Sequence, residues 1–335
     1  MALMVKRVRR LERRVERRRL RDAQNPFHLP RDEFINCFRL TPELVIDIAT
    51  ALRPDLQNER LTGLVPEIKW NVSQPTTSRC LHTVTEAINR RLLRRWIKFP
   101  MTAEDRQKAR EKFSTAAYPF EGALGAIDCT FIHIIDPHEH EEAFINHHGR
   151  HSLNVQAIVD PDMKVLNINA RYPGARNDSY IWSTSPIRRA MEFHYNRGER
   201  KTWLIGDAGY PLEPWLITPL ADFPEDTRQF QYTQQLCKAR NRVLLYKPEF
   251  AAKIVNACAV LHNIRIQHRL QDVEELQALL VANNHQNENV GFIDINEHVA
   301  RRGPRAVAQR IQHQIMRERF PNYRDAQDEE HAEDN

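Results

Sequence analysis

The sequence contains no apolar run that approaches the roughly 18 to 20 residues needed to cross a bilayer. Its first residues are too highly charged for a secretory signal. Both absences predict a soluble, intracellular protein without a membrane segment. The 335 residues are 41% hydrophobic, so the chain can bury a core, and its length suggests two domains with further terminal segments.

Cysteine pairs are also missing, because the five cysteines are widely scattered and none belongs to a CxxC motif. We therefore expect reduced thiols buried in the core rather than a disulfide framework. Six irregularly spaced histidines between His133 and His151 do not match a zinc site either. No glycine-rich phosphate loop and no GxSxG motif occurs, so nucleotide hydrolysis and serine-hydrolase chemistry are disfavoured.

Positive charge is concentrated near the start of the sequence, although the net charge is only +5. Residues Lys6 to Arg21 include ten basic side chains against Glu12 and Glu16. Such a segment is typical of a nuclear-import signal or of an arm that binds nucleic-acid phosphates. The alternative is a solvated helix, in which Leu11 and Val15 share a face and the two acids pair with arginines.

Two helices are predicted between residues 40 and 95. Thr41 can cap the first and Pro42 suits its first turn, while Pro54 is expected to end it. Its predicted buried stripe is Leu44, Val45, Ile48, Ala49 and Leu52. The second helix is expected to start at Ser73, with an inward face formed by Leu81, Val84, Ile88 and Leu92.

Basic residues occupy polar positions of the second helix, namely Arg79, Arg90, Arg91, Arg94 and Arg95. Polar residues at a helix start followed by basic ones resemble the recognition helix of a helix-turn-helix, whose N-terminal end meets base edges. We therefore predict an N-terminal helical, helix-turn-helix-like domain in which these five arginines bind DNA. An ordinary surface helix is the alternative.

After a short helix predicted from Thr102 to Phe113, the sequence changes from helical to strand periodicity. Three strands and the turn at Asp160–Lys164 predict an antiparallel meander, which a helix and a fourth strand follow. The strands are Gly125–Ile134, Leu153–Asp160, Val165–Tyr172 and Lys201–Gly206, and the helix is Ser179–Phe193. The order βββαβ is that of an RNase H-like core, so we expect an α/β (α+β) fold. Further helices are expected at Pro248–Gln267, where an apolar face should cover the sheet, and at Val273–Val281 and Val299–Phe320.

Two aspartates occupy positions that suggest a metal site. Asp128 lies within an apolar strand, where a charged side chain is costly to bury without a partner. Asp207 ends the apolar run that begins at Trp203. If the two strands are neighbours, both carboxylates meet at one edge of the sheet and can bind the metal ions that hydrolyse phosphodiesters. The alternatives are backbone hydrogen bonds for Asp128 and an ordinary Asp-x-Gly turn for Asp207.

Nine short motifs are spread over about residues 26 to 268. They are Phe34–Leu40, Val72–Cys80, Ile97–Pro100, Gly125–Thr130, Asn146–Asn154, Tyr172–Gly174, Asn177–Ser179, Gly206–Pro211 and Ala257–Asn263. Together they resemble the PIF/Harbinger transposases and the nucleases domesticated from them, which have a DDE-type catalytic domain. This resemblance implies a nuclease that hydrolyses DNA with Mg²⁺ or alternatively Mn²⁺, in which Asp128 bridges two ions and Asp207 binds one. It also implies a Myb-like DNA-binding partner protein and a nuclear location, with the cytoplasm also open.

The sequence departs from this family pattern at two junctions. Between Asn241 and Arg242, the helix that carries the family's third carboxylate, a glutamate, is missing. Between Trp70 and Asn71, a similar gap removes the leading helices of the helix-turn-helix. We therefore expect a truncated core with impaired catalysis. A noncatalytic nuclear DNA- or protein-binding remnant of a domesticated transposase is the alternative.

Other acids have weaker claims to the site. Asp178, in the Asn-Asp-Ser motif, is interpreted as the N-cap of the following helix or as a carboxylate that supports the metal ligands. Four acids close to Asp207 in the sequence could replace the missing glutamate: Glu213, Glu225, Asp226 and Glu249.

The organisation that follows has four parts. A basic arm at 1–25 precedes the helix-turn-helix-like domain at 26–118, which is shortened near 70/71. An RNase H-like nuclease domain at 119–268 is shortened near 241/242. The segment 269–335 is predicted to be a helical and acidic tail, and its end, Asp325 to Asn335, is expected to be disordered.

Overall fold

The computed structural model describes residues 25–56, 74–221, 223–243, 252–268 and 303–325. The basic arm, the junction at Trp70 and Asn71, the predicted helix 273–281 and the end of the acidic tail lie outside the described residues. The chain divides into two compact units, one of residues 1–96 and 260–271 and one of 97–259 and 272–335. Among the described residues, no helix is both long enough and apolar enough to cross a membrane.

The first unit is helical. It contains α1 (Arg31–Phe38), α2 (Pro42–Leu56), α3 (Gln74–Arg91) and α4 (Leu93–Trp96). The predicted start of α2 is confirmed, because the Thr41 hydroxyl accepts a hydrogen bond from Leu44 N at 3.3 Å. The predicted end is wrong, since α2 continues through Pro54 to Leu56. A proline removes one intrahelical hydrogen bond, and ion pairs from Asp55 to Arg90 and Arg91 hold this last turn against α3.

The inward faces predicted for these helices are confirmed in part. Leu52, Ile88 and Leu92 are buried. Ala49 is exposed, and Leu81 is 49% exposed, so these two positions are corrections to the predicted stripes.

The second unit is built around a five-stranded sheet of order β3-β2-β1-β4-β5. The strands are β1 (Ala123–His133), β2 (Ser152–Val159), β3 (Val165–Pro173), β4 (Trp203–Ile205) and β5 (Leu216–Ile217). Strands β1, β2 and β3 are antiparallel, whereas β4 pairs with β1 in parallel. The predicted meander and the return of β4 beside β1 are confirmed. This mixed sheet is consistent with a DDE nuclease domain.

Helices cover both faces of the sheet. The helices of this unit are α5 (Ala103–Ser114), α6 (Glu141–Phe144), α7 (Asp178–Thr184), α8 (Pro186–Asn196), α9 (Arg228–Val243), α10 (Ala252–Gln267) and α11 (Pro304–Arg319), and α10 extends into the first unit. Trp182 of α7 and Met191 of α8 pack against Ile127 on one face. Tyr232 of α9 and Ile315 of α11 pack against Ala126 on the other.

Helix α10 begins its contact with the sheet through Val255, which packs in a small core with Ile132, Val155 and Ala170. The prediction that this helix covers the sheet is therefore confirmed for its first part. Its predicted residues 248–251 lie outside the described residues. The last predicted helix, Val299–Phe320, is described from Pro304 to Arg319.

The predicted helix at 179–193 is in fact two helices, α7 and α8, which meet at Ser185. A residue that precedes proline disfavours the helical conformation, and Ser185 is extended, with φ −66° and ψ 133°. Its hydroxyl accepts a hydrogen bond from Ile187 N at 3.2 Å and so caps α8. The chain therefore turns between α7 and α8.

The cysteines are confirmed as unpaired, but their predicted burial is wrong for three of them. Cys37, Cys80 and Cys258 are exposed on helices, whereas Cys129 and Cys237 are half-buried.

Candidate metal centre

The parallel pairing of β1 and β4 determines where the two predicted aspartates lie. Ala126 of β1 is opposite Ile205 of β4, so Asp128 and Asp207 each follow this pair by two residues. Because parallel strands run in the same direction, both side chains lie at the same end of the sheet. The structure therefore brings the two aspartates together, as the sequence predicted.

A tight turn after β4 fixes Asp207. Its Oδ1 accepts a hydrogen bond from Gly209 N at 3.0 Å, and its backbone oxygen accepts one from Tyr210 N at 3.3 Å. The Asp-x-Gly turn of the alternative interpretation is thus present. The turn orients the Asp207 carboxylate, because it binds only Oδ1. The second oxygen, Oδ2, contacts Arg240.

Asp178 joins the two aspartates from the start of α7. The N-cap of this helix is Asn177, whose Oδ1 accepts a hydrogen bond from Tyr180 N at 3.0 Å, so the N-cap interpretation of Asp178 was wrong. Asn and Asp cap equally well, and the cap falls one residue earlier. The Asp178 carboxylate instead accepts a hydrogen bond from Asn154 Nδ2 at 3.1 Å. Asn154 also donates to Arg176 O at 2.8 Å and thereby links β2 to the entry of α7.

The three carboxylates form one cluster. Asp128, Asp178 and Asp207 each offer an oxygen, and these oxygens lie within 4.8 Å of one another. All three side chains are half-buried. We call this group the carboxylate cluster.

Arg240 of α9 is the cation of the carboxylate cluster. Its Nη2 lies 2.8 Å from Asp128 Oδ1 and 3.1 Å from Asp207 Oδ2. Its Nε is buried and has no hydrogen-bond partner among the described residues. One guanidinium therefore faces three carboxylates, and the cluster keeps an excess of negative charge.

Burial, together with the neighbouring carboxylates of Asp207 and Asp178, raises the pKa of Asp128 to about 6 against the opposing effect of Arg240. Burial also raises the pKa of Asp178, with an added contribution from Asp207. For Arg240, burial lowers the pKa, but the charges of Asp128 and Asp207 outweigh it and the pKa is raised. Raised carboxyl pKa values mean that the folded protein pays to ionise these groups, and a bound cation would remove that cost.

Cys129 and Tyr210 form a neutral, hydrogen-bonded pair beside the cluster. The Cys129 Sγ lies 3.2 Å from the Tyr210 hydroxyl oxygen. Burial raises the pKa of both groups, so both stay neutral. The pair therefore adds no charge to the site.

The other acids near Asp207 have different partners. Glu213 accepts hydrogen bonds from Trp182 Nε1 at 2.8 Å and from Arg188 Nη2 at 2.6 Å. Asp226 pairs with Arg324 at 2.7 Å. Glu225 is exposed, and Glu249 lies outside the described residues. Within the described part of the chain, the carboxylate cluster is also the one group of three metal-ligating side chains, and it includes none of the six histidines.

The five predicted DNA-binding arginines are exposed residues of the first unit. Arg90 and Arg91 both form ion pairs with Asp55, so part of their charge is already balanced within the unit. Arg79, Arg94 and Arg95 complete the predicted set.

Sequence reasoning missed Arg240 and underestimated Asn154. A signal for α9 is present in the spacing of Tyr232, Leu236 and Ala239, which are buried at intervals of four and three residues. Asn154, a polar residue within an apolar strand, is 1% exposed and holds Asp178. Its position in the strand was the available sign of a function.

Comparison with known proteins supports the predicted resemblance. A model of the DDE superfamily endonucleases matches residues 127–244, a range that contains Asp128, Asp178, Asp207 and Arg240. The chain is 32% identical over 225 residues to "Putative nuclease HARBI1" of Xenopus laevis, which covers 61% of this chain and 63% of that protein. Residues 127–244 thus match the DDE superfamily endonucleases, and the chain is similar to Harbinger-derived nucleases. The predicted resemblance is thereby confirmed.

Other relatives support the same resemblance. The chain is 29% identical over 218 residues to "Putative nuclease HARBI1" of Homo sapiens, covering 59% of this chain and 60% of that protein. It is 26% identical over 258 residues to "Protein ALP1-like" of Arabidopsis thaliana, covering 68% and 62%. The chain thus spans about three-fifths of the length of these curated relatives. No solved structure matches it.

Proposed function

We propose that this chain is a divalent-metal-dependent nuclease that hydrolyses DNA phosphodiester bonds, with Asp128 and Asp207 as its catalytic metal ligands. The observation that carries the proposal is the carboxylate cluster, formed by Asp128 in the middle of β1, Asp207 just after β4 and Asp178 at the start of α7, within the stretch that matches the DDE superfamily endonucleases. The family implies divalent metal and DNA, and the cluster could bind a metal.

The donor set fits a hard divalent cation. All three groups offer carboxylate oxygens, which suit Mg²⁺ and Mn²⁺ better than softer metals. The three oxygens lie within 4.8 Å of one another, so one cation could contact all of them. The position of the Arg240 Nη2 between two carboxylates also supports a preference for positive charge at this point. We propose Mg²⁺, with Mn²⁺ as the alternative.

Each residue of the site then has a defined task. Asp128 and Asp207 hold the metal, and Gly209 N keeps Asp207 oriented. Asp178 supports them, held by Asn154. Arg240 balances part of the negative charge. Divalent ions bound in such a site activate a water molecule and stabilise the leaving oxygen.

We propose further that catalysis is impaired, because the family's glutamate-bearing helix is missing between Asn241 and Arg242. Asp178 supplies a third carboxylate to the cluster. It comes from α7, however, and not from the missing helix that carries the glutamate in the family. A variant in which the missing helix is restored should cut faster, and it should also be more stable, because the helix would bury more apolar surface.

The remaining parts of the proposal concern the rest of the chain. We propose that the basic arm at 1–25 directs the protein to the nucleus, and that Arg79, Arg90, Arg91, Arg94 and Arg95 bind DNA in a shortened helix-turn-helix-like domain. A Myb-like partner protein follows from the resemblance alone and stays a prediction.

The test uses the purified chain, supercoiled plasmid and either Mg²⁺ or Mn²⁺. We expect cutting that EDTA abolishes and that Asp128→Asn and Asp207→Asn each remove. The matched control is Asp162→Asn, which neutralises an aspartate that is paired with Lys112 in the same unit but lies outside the cluster. Cutting that survives both site variants would refute the assignment.

A noncatalytic DNA- or protein-binding role is the second candidate. The observation in its favour is that Arg240 already contacts both Asp128 and Asp207. Absence of cutting with either metal, together with retained DNA binding, would favour this role over the nuclease.

A further inference from the structure

Aromatic rings flank Asn154 on both sides in the sheet. Phe131 of β1 and Tyr172 of β3 are both register partners of Asn154. Residues directly opposite one another on adjacent strands lie on the same face of a sheet. Phe131, Asn154 and Tyr172 therefore form one row across three strands.

Further rings extend this row at each end. Phe131 contacts His147 and His148, with ring centroids 5.1 and 6.1 Å apart, and the two histidine rings are 3.9 Å apart. Tyr172 contacts Tyr180 at 6.1 Å. We call these five residues the ring platform: Phe131, His147, His148, Tyr172 and Tyr180. His147, His148 and Tyr180 are exposed, and the other two are half-buried.

The histidine end of the ring platform is held in place by a buried side chain. Asn146 is 4% exposed, and its Oδ1 accepts hydrogen bonds from His148 N at 2.9 Å and Arg150 N at 3.1 Å. Its Nδ2 donates to Ser152 Oγ at 3.0 Å. Exposed rings on an ordered loop lose little conformational entropy when a ligand stacks on them.

The ring platform adjoins the carboxylate cluster. The link is Asn154, which lies in the centre of the row and donates to Asp178. Phe131 and Asp128 are three residues apart on β1 and therefore point to opposite faces of the sheet. The Asn154 Oδ1 is buried and has no partner among the described residues. Positive charge is also present, because Arg150 is exposed and the Arg176 guanidinium lies 4.6 Å from the Tyr180 ring centroid.

We propose that the ring platform binds unpaired nucleotides of the DNA strand next to the bond that the carboxylate cluster cuts. This inference rests on the proposed function, since it names how the substrate is held at that site. Every base has a π-face that can stack on an aromatic ring, whatever the sequence. In a duplex those faces are covered by neighbouring bases, so exposed rings fit an unpaired strand, while Arg150 and Arg176 meet its phosphates.

The experiment measures binding in EDTA, so that it does not depend on cutting. The probe is a single-stranded oligonucleotide that contains 2-aminopurine, whose fluorescence falls when the base stacks. The variants are Phe131→Leu, the double change His147→Ala with His148→Ala, and Tyr180→Ala. The control is Phe193→Ala, because Phe193 is 54% exposed on α8 and contacts His194 and Arg197 instead of the platform.

We expect each platform variant to bind about 5- to 100-fold more weakly, as base–aromatic stacking energies imply. The 2-aminopurine signal should be lost, while the salt dependence of binding stays unchanged, since no phosphate contact is removed. Phe193→Ala should bind like the parent. The histidine pair and Tyr180 are exposed, so their replacement leaves folding intact even if Phe131→Leu lowers the melting temperature.

Three results would overturn the inference: unchanged binding in the platform variants, an equal loss in Phe193→Ala, or tighter binding of a duplex than of the single strand. Plasmid cutting separates this failure from that of the proposed function. If the parent cuts plasmid with metal and the platform variants bind the single strand normally, the ring-platform inference is wrong but the proposed nuclease function stands. If the platform variants lose stacking but the parent does not cut at all, the proposed nuclease function is wrong. The ring platform is then a DNA-binding surface without a cutting activity.

Discussion

Two groups of partly buried charges in the second unit have opposite compositions. In the carboxylate cluster, one arginine faces three aspartates. In the second group, which we call the arginine cluster, Arg106 and Arg110 face Glu199. Arg106 Nη2 lies 2.6 Å from Glu199 Oε2, Arg110 Nη1 lies 2.9 Å from Glu199 Oε1, and Thr202 donates to the same carboxylate at 3.0 Å.

The pKa shifts of the two groups differ in sign. Burial pushes the pKa of Glu199 upward, but hydrogen bonds from Arg106 and Thr202 outweigh it and the pKa is lowered. Burial raises the pKa of Asp128 to about 6, and one arginine does not reverse this. In the arginine cluster, the charge of Glu199 is balanced by partners within the protein, so the role of this cluster is to stabilise the fold. The carboxylate cluster has charge left over, which is the electrostatic condition for a cation-binding site.

The largest effect is expected in the arginine cluster. Glu199→Ala leaves Arg106, whose side chain is 5% exposed, without its carboxylate. A buried charge without its partner costs about 3–5 kcal/mol, so urea unfolding should show a loss of that size. Replacing both residues, Arg106→Met with Glu199→Ala, should recover most of it. If Glu199→Ala lowered the free energy of unfolding by less than about 1 kcal/mol, the arginine cluster would contribute no more than an exposed ion pair, and the proposed contrast between the two clusters would be wrong.

The second effect concerns Arg240→Gln. In EDTA we expect a loss of about 2 kcal/mol, less than the full value for a buried pair because the aspartates are half-buried. Mg²⁺ should restore this loss, since the ion can take over the charge balance, and the stabilisation by Mg²⁺ should exceed that of the parent. Calorimetry should show Mg²⁺ binding about tenfold tighter once the competing guanidinium is gone.

Arg188→Gln is the matched control for this change. Arg188 pairs with Glu213 at 2.6 Å, outside the carboxylate cluster. Its loss should lower stability equally in EDTA and in Mg²⁺. If Arg240→Gln behaves in the same way, the carboxylate cluster has no special affinity for divalent cations.

The third effect is a pH dependence of opposite sign with and without metal. The pKa of Asp128 is about 6 in the folded protein against an ordinary 3.8, so the folded state binds more protons between these values. The free energy of unfolding in EDTA should therefore fall as pH rises from about 4 to 6, by about 1–2 kcal/mol from this group. Asp128→Asn should remove that slope.

In Mg²⁺ the same group should act in reverse. Metal binding requires the ionised carboxylate, so the stabilisation by Mg²⁺ should grow as pH rises through 6. Thermal melts from pH 4.5 to 7.5 with EDTA or Mg²⁺ measure both slopes. Identical slopes in the two series would contradict a metal at Asp128.

The sequence predicted the two strand aspartates of the site better than the residues that surround them. Asp128 and Asp207 were predictable because an acid within an apolar strand, or directly after one, has a strong local signal, and the parallel pairing of β1 and β4 then brings them together. Asp178 was harder, because both Asn177 and Asp178 can cap a helix and local preference does not separate them. The pairing of Arg240 with these acids depends on where α9 packs, which is tertiary information. The break between α7 and α8 at Ser185 could have been predicted from Pro186. It was missed because the helical spacing of apolar residues continues across it.

The smallest effect compares one neutral hydrogen-bond donor from each cluster. Asn154→Ala removes the amide that holds Asp178, and partners of this kind typically change metal affinity about 10- to 100-fold, so Mg²⁺ binding measured by calorimetry should weaken by about tenfold. Thr202→Val removes the hydroxyl that donates to Glu199 and should cost about 1 kcal/mol of stability without affecting Mg²⁺ binding. If Thr202→Val weakened Mg²⁺ binding as much as Asn154→Ala, the loss would reflect general loosening of the unit. A difference between the two variants would instead tie Asp178 to the metal through its orientation by Asn154, because both changes remove one uncharged donor to a carboxylate.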